Sequence, residues 1–221
     1  AIGRGTSWSV IVEETDLFVS FGGLRRSNTE VTYGGQGTHH TEQWMKKAKA
    51  SGTDFLNIGP LRDDIDPQIQ PRWQPIRPGT DVAFILACIH TLIDKDLIDD
   101  GFVGTYVHGW EKFSDYVMGK SDQQAKSAEW ASGITGIDAR TIEDLALEMS
   151  NRRTLINVGL SVQRADHGEQ SYWAATALAC ALGQVGLPGG GIAFPFGAQG
   201  NVGAGQVRKR VPGMPVPPRP Q

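Results

Sequence analysis

The chain has 221 residues, of which 39% are hydrophobic and 20% charged, a composition typical of a globular domain with a substantial core. Its formal net charge of −3 gives no basic field of the kind that attracts nucleic acid or anionic membranes, so neither is expected as a partner. The longest apolar runs, such as 82–89, fall far short of the ~20 residues needed to span a bilayer, and we predict no membrane insertion.

The first predicted unit is a strand, a helix and a second strand. A short apolar run at 16–21 predicts a buried strand that closes at a glycine pair. Residues 41–50 predict a helix with Thr41 as its N-cap, and residues 54–58 predict the next strand. This succession is typical of parallel strands joined by a right-handed crossover.

The rest of the chain predicts further helices and a third strand. Apolar residues at three and four residue spacing indicate a helix that begins at 81 and has Thr80 as its N-cap. Residues 138–149 predict another helix, and residues 154–158 predict a strand that leads through a polar loop into an apolar helix. We therefore predict an α/β fold, with an open, mostly parallel sheet and helices on both faces in a Rossmann-like arrangement.

Two regions of the chain differ in composition. Residues 1–205 carry the strand and helix patterns and are predicted to form one α/β domain. Residues 206–221 contain five prolines and a short basic run, which is typical of an extended linker or tail.

Ligands of open parallel sheets bind beyond the carboxyl ends of the strands, so the loops after the strands are the candidate sites. After the first strand, Gly22 and Gly23 allow backbone N–H groups to approach an anion, and Arg25 adds a guanidinium that suits phosphate. An ordinary tight turn with solvated arginines explains the same residues. The GxGxxG fingerprint of classical dinucleotide-binding loops is absent.

The segment Gly79-Thr80-Asp81 places a carboxylate in the first turn of a predicted helix. Helix capping alone accounts for an acidic residue at this position. A functional role is equally specific, because guanine presents its N1–H and its 2-amino group as adjacent donors and one carboxylate accepts both. Adenine has no such donor pair, so Asp81 would select guanine.

The loop after the third strand is unusually polar for a segment that opens an apolar helix. Leu160 begins it, Gln163 offers a donor and an acceptor to a heterocycle such as a pterin, and Arg164 suits phosphate or a charged substrate. His167 is either a cofactor contact or a capping and packing residue. We assign no metal ligand, because His39 and His40 lack a completing ligand set, and no catalytic residue.

With these loops in view, the sequence resembles the dimethyl sulfoxide, trimethylamine N-oxide and biotin sulfoxide reductase family of molybdopterin oxidoreductases. The pattern at 22–25 and 34–39 is most similar to the biotin sulfoxide reductase branch. The motifs of the resemblance occur in the family's order over nearly the whole chain: Ser7-Trp8, Phe21-Gly22-Gly23, Ile76-Arg-Pro-Gly-Thr-Asp81, Thr135-Gly-Ile-Asp138, Val162-Gln-Arg164, His167-Gly-Glu-Gln170 and the run 182–191.

The resemblance implies the domain that holds one arm of a molybdenum cofactor carrying two molybdopterin guanine dinucleotides. It implies that phosphate approaches Gly22 and Gly23, that Asp81 recognises guanine, and that the loop around Leu160, Gln163 and Arg164 contacts the pterin or the active site. The activity it implies for the parent enzyme is S-oxide or N-oxide reduction, in which oxygen passes from a sulfoxide or an amine N-oxide to molybdenum.

In this family the serine that ligates molybdenum lies upstream of the segment seen here, and the domain for the second dinucleotide lies downstream. We therefore expect an internal fragment that is inactive alone. Its expected partners are the remaining domains of the same enzyme, a small oxide substrate and an electron donor, and its expected compartment is the cytoplasm, with the periplasm as the alternative.

Two other functions fit the sequence less well. A noncatalytic module that binds a guanine nucleotide or the molybdenum cofactor is the alternative from a different class. An NAD-dependent dehydrogenase would need GxGxxG and an acidic residue at the end of the second strand, where Gly59 stands.

Overall fold

A computed structural model describes residues 6–32, 35–36, 39–194, 196–200 and 202–203. Its centre is a five-stranded sheet with the order β5-β4-β1-β6-β7, in which every neighbouring pair is parallel. A separate antiparallel pair, β2 with β3, lies outside this sheet. The strands are β1 (Leu17–Phe21), β2 (Val31–Thr32), β3 (Gly35–Gln36), β4 (Asp54–Ile58), β5 (Arg72–Gln74), β6 (Thr154–Val158) and β7 (Gly191–Ala193).

Helices cover both faces of the sheet, as predicted for parallel strands that are buried on both sides. They are α1 (Trp8–Glu14), α2 (Thr41–Ser51), α3 (Asp81–Asp94), α4 (Asp100–Tyr106), α5 (Trp110–Val117), α6 (Ala128–Thr135), α7 (Ala139–Asn151) and α8 (Glu169–Ala181). None of the helices in the described ranges has the length and apolar character required to cross a membrane.

The three central strands alternate their side chains between two apolar clusters. On one face, residues such as Val19 and Ile156 pack with α3, α7 and α8. On the other face, Phe18 and Phe55 pack with α1 and α2. Since nearly all of these side chains are buried, the strands read in the sequence as largely apolar runs.

The chain leaves β1 in one direction and β6 in the other. From β1 it passes through α2 to β4 and β5, and it returns through α3–α7 to β6 on the opposite side of β1. The direction of strand order therefore reverses between β1 and β6. This reversal opens a crevice beyond the carboxyl ends of the two strands.

The predicted α/β class and the three central strands are confirmed, and three details are corrected. The sheet also contains β5 and β7, which the sequence pattern did not predict. Helix α2 has His40 at its N-cap, so Thr41 is its first residue instead. Thr80 holds the N-cap position of α3, but its side chain makes no capping hydrogen bond. The predicted boundary between 1–205 and 206–221 lies outside the described residues and stays a prediction.

Candidate functional site

The loops that follow β1 and β6 enclose a cavity of ≈ 400 Å³ at the carboxyl edge of the sheet. Four segments form its walls: the β1 loop, the short 3₁₀ helix Arg26–Glu30, the β6 loop and the chain after β7. The lining residues are Gly22, Gly23, Arg25, Asn28, Gly159, Leu160, Ser161, Arg164, Gly197 and Ala198. The cavity lies at the reversal of strand order, where open α/β sheets bind their ligands.

The glycine pair after β1 forms one wall with its backbone alone. Gly22 and Gly23 have φ angles of +77° and +83°, which side chains other than glycine rarely adopt. A Cβ on Gly23 would lie 2.8 Å from the backbone oxygen of Asp64, and a Cβ on Gly22 would lie 2.9 Å from Cγ1 of Val162. The fold therefore requires glycine at both positions.

The β6 loop is tied to this wall by hydrogen bonds. The backbone N–H of Gly159 donates to the oxygen of Phe21 over 2.8 Å, and the Ser161 hydroxyl donates to the oxygen of Gly22 over 2.8 Å. From α8, the Tyr172 hydroxyl donates to the oxygen of Gly159 over 2.9 Å, and burial raises the pKa of this phenol. The two loops and α8 thus form one connected structure.

Two guanidiniums give the cavity a positive charge. Nη1 of Arg25 lies 3.5 Å from Oδ1 of Asp64, so part of its charge is balanced within the protein. Arg164 is exposed and has no acidic partner among the residues that the structure describes. Together with the glycine backbone, these cations make the cavity suitable for an anion with several oxygen atoms.

Asp81 lies at the start of α3 and does not line this cavity, nor do Gly79 and Thr80. The Thr80 hydroxyl donates to the oxygen of Arg77 over 2.7 Å, which explains why it does not cap the helix. Asp81 is 8% exposed, and this burial raises the pKa of its carboxyl, opposed only by a backbone hydrogen bond. The result is a nearly buried acceptor that no described cation neutralises.

This environment predicts an unusual dependence of stability on pH. Because burial raises the pKa of Asp81 in the folded state, the ionised carboxyl destabilises the fold at pH values above that pKa. We expect Asp81→Asn to raise the thermal unfolding midpoint of the ligand-free protein at pH 7. The gain should shrink as the pH falls through the folded-state pKa and should vanish below the ordinary aspartate value.

Glu169 provides the matched control for this measurement. It also stands in the first turn of a helix, but it is exposed, and its backbone hydrogen bond lowers its pKa. Glu169→Gln should therefore lower the unfolding midpoint at pH 7, opposite in sign to Asp81→Asn. Equal signs for the two substitutions would show that burial does not govern the Asp81 carboxyl.

The structure does not bring Gln163 and His167 into the cavity. Both side chains are exposed, and Nε2 of His167 lies 3.7 Å from Oδ1 of Asp166. His167 has a φ of +54°, and the following Gly168 packs directly against the backbone of Gln163. Contacts of these two side chains with a cofactor stay predictions. The described residues contain no group of three or more His, Cys, Asp or Glu side chains arranged to hold a metal ion.

Five lining residues were not predicted from the sequence: Asn28, Gly159, Ser161, Gly197 and Ala198. Gly159 and Ser161 belong to the polar loop after β6, and Asn28 lies in a 3₁₀ helix with no periodic pattern. Gly197 and Ala198 follow β7, which was itself missed. The glycine-rich chain around 189–203 was the available signal, since backbone that approaches a ligand closely favours glycine.

Comparisons with known proteins place the chain among molybdenum enzymes. The family model for molybdopterin oxidoreductases matches residues 3–210. A biotin sulfoxide reductase from Cereibacter sphaeroides is 35% identical over 96% of this chain and 28% of its own length. A trimethylamine-N-oxide reductase from Haemophilus influenzae is 36% identical over 86% of this chain and 23% of its own length.

A third relative is the dimethyl sulfoxide/trimethylamine N-oxide reductase of Rhodobacter capsulatus, 37% identical over 86% of this chain and 23% of its own length. The chain thus spans roughly a quarter of these relatives. Among solved structures, acetylene hydratase from Pelobacter acetylenicus superposes with a TM-score of 0.63 and 21% identity, covering 80% of this chain and 23% of the hydratase. At this identity the superposition shows the fold alone.

Proposed function

The chain belongs to the molybdopterin oxidoreductase family, whose cofactor is molybdenum bound to molybdopterin, and on that premise we propose that it holds one guanine dinucleotide arm of that cofactor. The parent protein would be a sulfoxide or amine N-oxide reductase, the activities named for its relatives. Its remaining domains, its oxide substrate and its electron donor are the expected partners.

The observation that carries this proposal is the cavity at the reversal of strand order. A dinucleotide is joined by a diphosphate, which offers several charged oxygen atoms and needs N–H donors and cations. The cavity supplies backbone without side chains at Gly22, Gly23 and Gly159 and guanidiniums at Arg25 and Arg164. A side chain at any of these glycines would meet a neighbouring loop, so the cavity walls keep their positions only with glycine there.

Asp81 supports the choice of guanine for the base of this dinucleotide. Its carboxylate is nearly buried, and no described cation satisfies it. Two adjacent N–H donors on the edge of guanine would replace the water that burial removes. Gly79 and Thr80 form the turn that places this carboxylate at the start of α3.

The chain's own residues would therefore bind and orient, and the bound cofactor would supply the oxygen-atom transfer itself. Leu160 lines the cavity as Arg164 does, which suits a contact with the pterin side of the dinucleotide. Gln163 and His167, on the exposed part of the same loop, would approach the cofactor only from outside the cavity.

The two arginines provide the first test. We expect Arg164→Met to weaken guanosine diphosphate binding by about tenfold, the loss typical of a hydrogen-bonded charge pair. Arg25→Met should cost less, because Asp64 already balances part of the Arg25 charge. Isothermal titration calorimetry of the protein with guanosine diphosphate measures both effects.

Arg140 on α7 is the control. Its side chain is 88% exposed and pairs with Asp144, and neither residue lines the cavity. Arg140→Met should leave the affinity unchanged. Wild-type protein that does not bind guanosine diphosphate would contradict the proposal. Binding in a longer protein that lacks reductase activity would instead favour the noncatalytic guanine-nucleotide module.

A further inference from the structure

A row of three buried polar side chains crosses the sheet directly beneath the cavity. Ser20 on β1 pairs in register with Asn57 on β4 and with Asn157 on β6. Each is the fourth residue of its strand, and each has 0% exposure. Such groups destabilise an apolar core unless hydrogen bonds satisfy them, so their partners indicate why the row is tolerated.

Asn157 holds two segments of the cavity wall at once. Its Nδ2 donates to the Ser20 hydroxyl over 3.1 Å and to the backbone oxygen of Phe196 over 3.2 Å. The Ser20 hydroxyl in turn donates to the backbone oxygen of Gly23 over 2.9 Å. One amide therefore connects the β1 loop with the chain after β7, whose Gly197 lies in the opposite wall.

Asn57 is a natural counterpart outside the cavity. It is equally buried in the same row, but its Nδ2 donates to the oxygen of Leu61 over 3.1 Å, in a loop that does not line the cavity. The side-chain oxygens of Asn57 and Asn157 are both buried, and neither has a hydrogen-bond partner among the described residues. The two amides are therefore equally buried, and each has a side-chain oxygen without a partner. They differ in the segment to which their Nδ2 donates.

We propose that Asn157 and Ser20 are positioning residues that fix the separation of the two glycine walls of the cavity. The walls touch where a Cβ on Gly197 would lie 2.7 Å from Cα of Leu24, so a small displacement of either changes the space between them. The identity of the ligand in the cavity rests on the proposed function. The coupling of the two walls is independent of it.

The test combines hydrogen exchange with titration in three variants: Asn157→Leu, Ser20→Ala and Asn57→Leu. Asn157→Leu should speed amide exchange in both 22–25 and 196–200, because it releases both walls. Ser20→Ala should speed exchange in 22–25 alone, because the bond from Asn157 to Phe196 remains. Asn57→Leu should leave 196–200 unchanged, because the bond that Asn57 donates reaches Leu61 and not the chain after β7.

Guanosine diphosphate affinity, measured well below the unfolding midpoint of every variant, gives the second readout. Asn157→Leu should weaken binding about five- to tenfold, and Asn57→Leu by less than about twofold. Equal exchange and equal affinity in the two asparagine variants would overturn the proposal. If Asn157→Leu does not fold, faster exchange confined to 22–25 in Ser20→Ala supports the proposal, and unchanged exchange refutes it.

Wild-type protein that does not bind the nucleotide would refute the proposed function. The exchange pattern would still decide whether the two walls are coupled.

Discussion

Replacing Asp81 with alanine is expected to weaken guanosine diphosphate binding by about 10- to 100-fold, because hydrogen bonds to a charged group contribute about 1.5–3 kcal/mol. Adenosine diphosphate should lose little, since adenine offers no pair of adjacent donors to this carboxylate. The preference for guanine should therefore disappear. Competition titrations with the two nucleotides measure it, at a pH well above the raised pKa of Asp81 so that the carboxyl is ionised.

The isosteric substitution gives a sharper outcome. An asparagine side chain offers one acceptor and one donor, which complement the amino group and N1 of adenine. Asp81→Asn should consequently shift the preference towards adenine, and Asp100→Ala, at an exposed first-turn position of α4, should change neither affinity. A guanine preference that survives both Asp81 substitutions would show that Asp81 serves only the helix.

The sequence was informative about the central strands because their burial is complete. Residues 54–58 and 154–158 are apolar enough on both faces to be recognised, and both bounds agree with the structure. The edge strands β5 and β7 have three residues each, and β5 is largely exposed. Such segments become strands only through their parallel neighbours, so a local pattern does not reveal them.

The same distinction applies to the candidate site. Gly22, Gly23, Arg25, Leu160 and Arg164 were predicted because they stand in loops that follow two recognised strands, and all five line the cavity. The opposite wall was missed because it follows β7. Asp81 was predicted from its chemistry, and its place relative to the cavity depends on the packing of α3.

One signal for the polar row was present in the sequence. The strands Leu17–Phe21, Asp54–Ile58 and Thr154–Val158 each carry Ser or Asn at their fourth position, with apolar residues at the second, third and fifth. In a parallel sheet, equal positions on neighbouring strands become lateral neighbours when the strands are in register. The register, however, is a property of the assembled sheet, so the row is apparent only in the structure.

Gly23→Ala is expected to destabilise the protein by about 3–5 kcal/mol and to abolish measurable nucleotide binding. The left-handed backbone at Gly23 costs a residue with a Cβ about 1–2 kcal/mol. In addition, the new Cβ would lie 2.8 Å from the backbone oxygen of Asp64, which accepts the N–H of Leu24 over 2.7 Å. Relieving this contact breaks that hydrogen bond and displaces the cavity wall. Urea unfolding and calorimetric titration measure the two effects.

Gly109 is the control that separates the cost of the left-handed backbone from the cost of the steric contact at Gly23. Its φ of +81° nearly equals that of Gly23, but a Cβ there would meet no atom of the described residues within 4 Å. Gly109→Ala should therefore cost only about 1–2 kcal/mol and leave binding intact. Gly22→Ala should fall between them, because its Cβ meets the side chains of Ser161 and Val162, which can shift at the loss of the Ser161 bond to Gly22, whereas the Cβ of Gly23→Ala meets backbone. If Gly23→Ala were no more harmful than Gly109→Ala, the wall would be adaptable, and the cavity would owe its shape to the bound ligand.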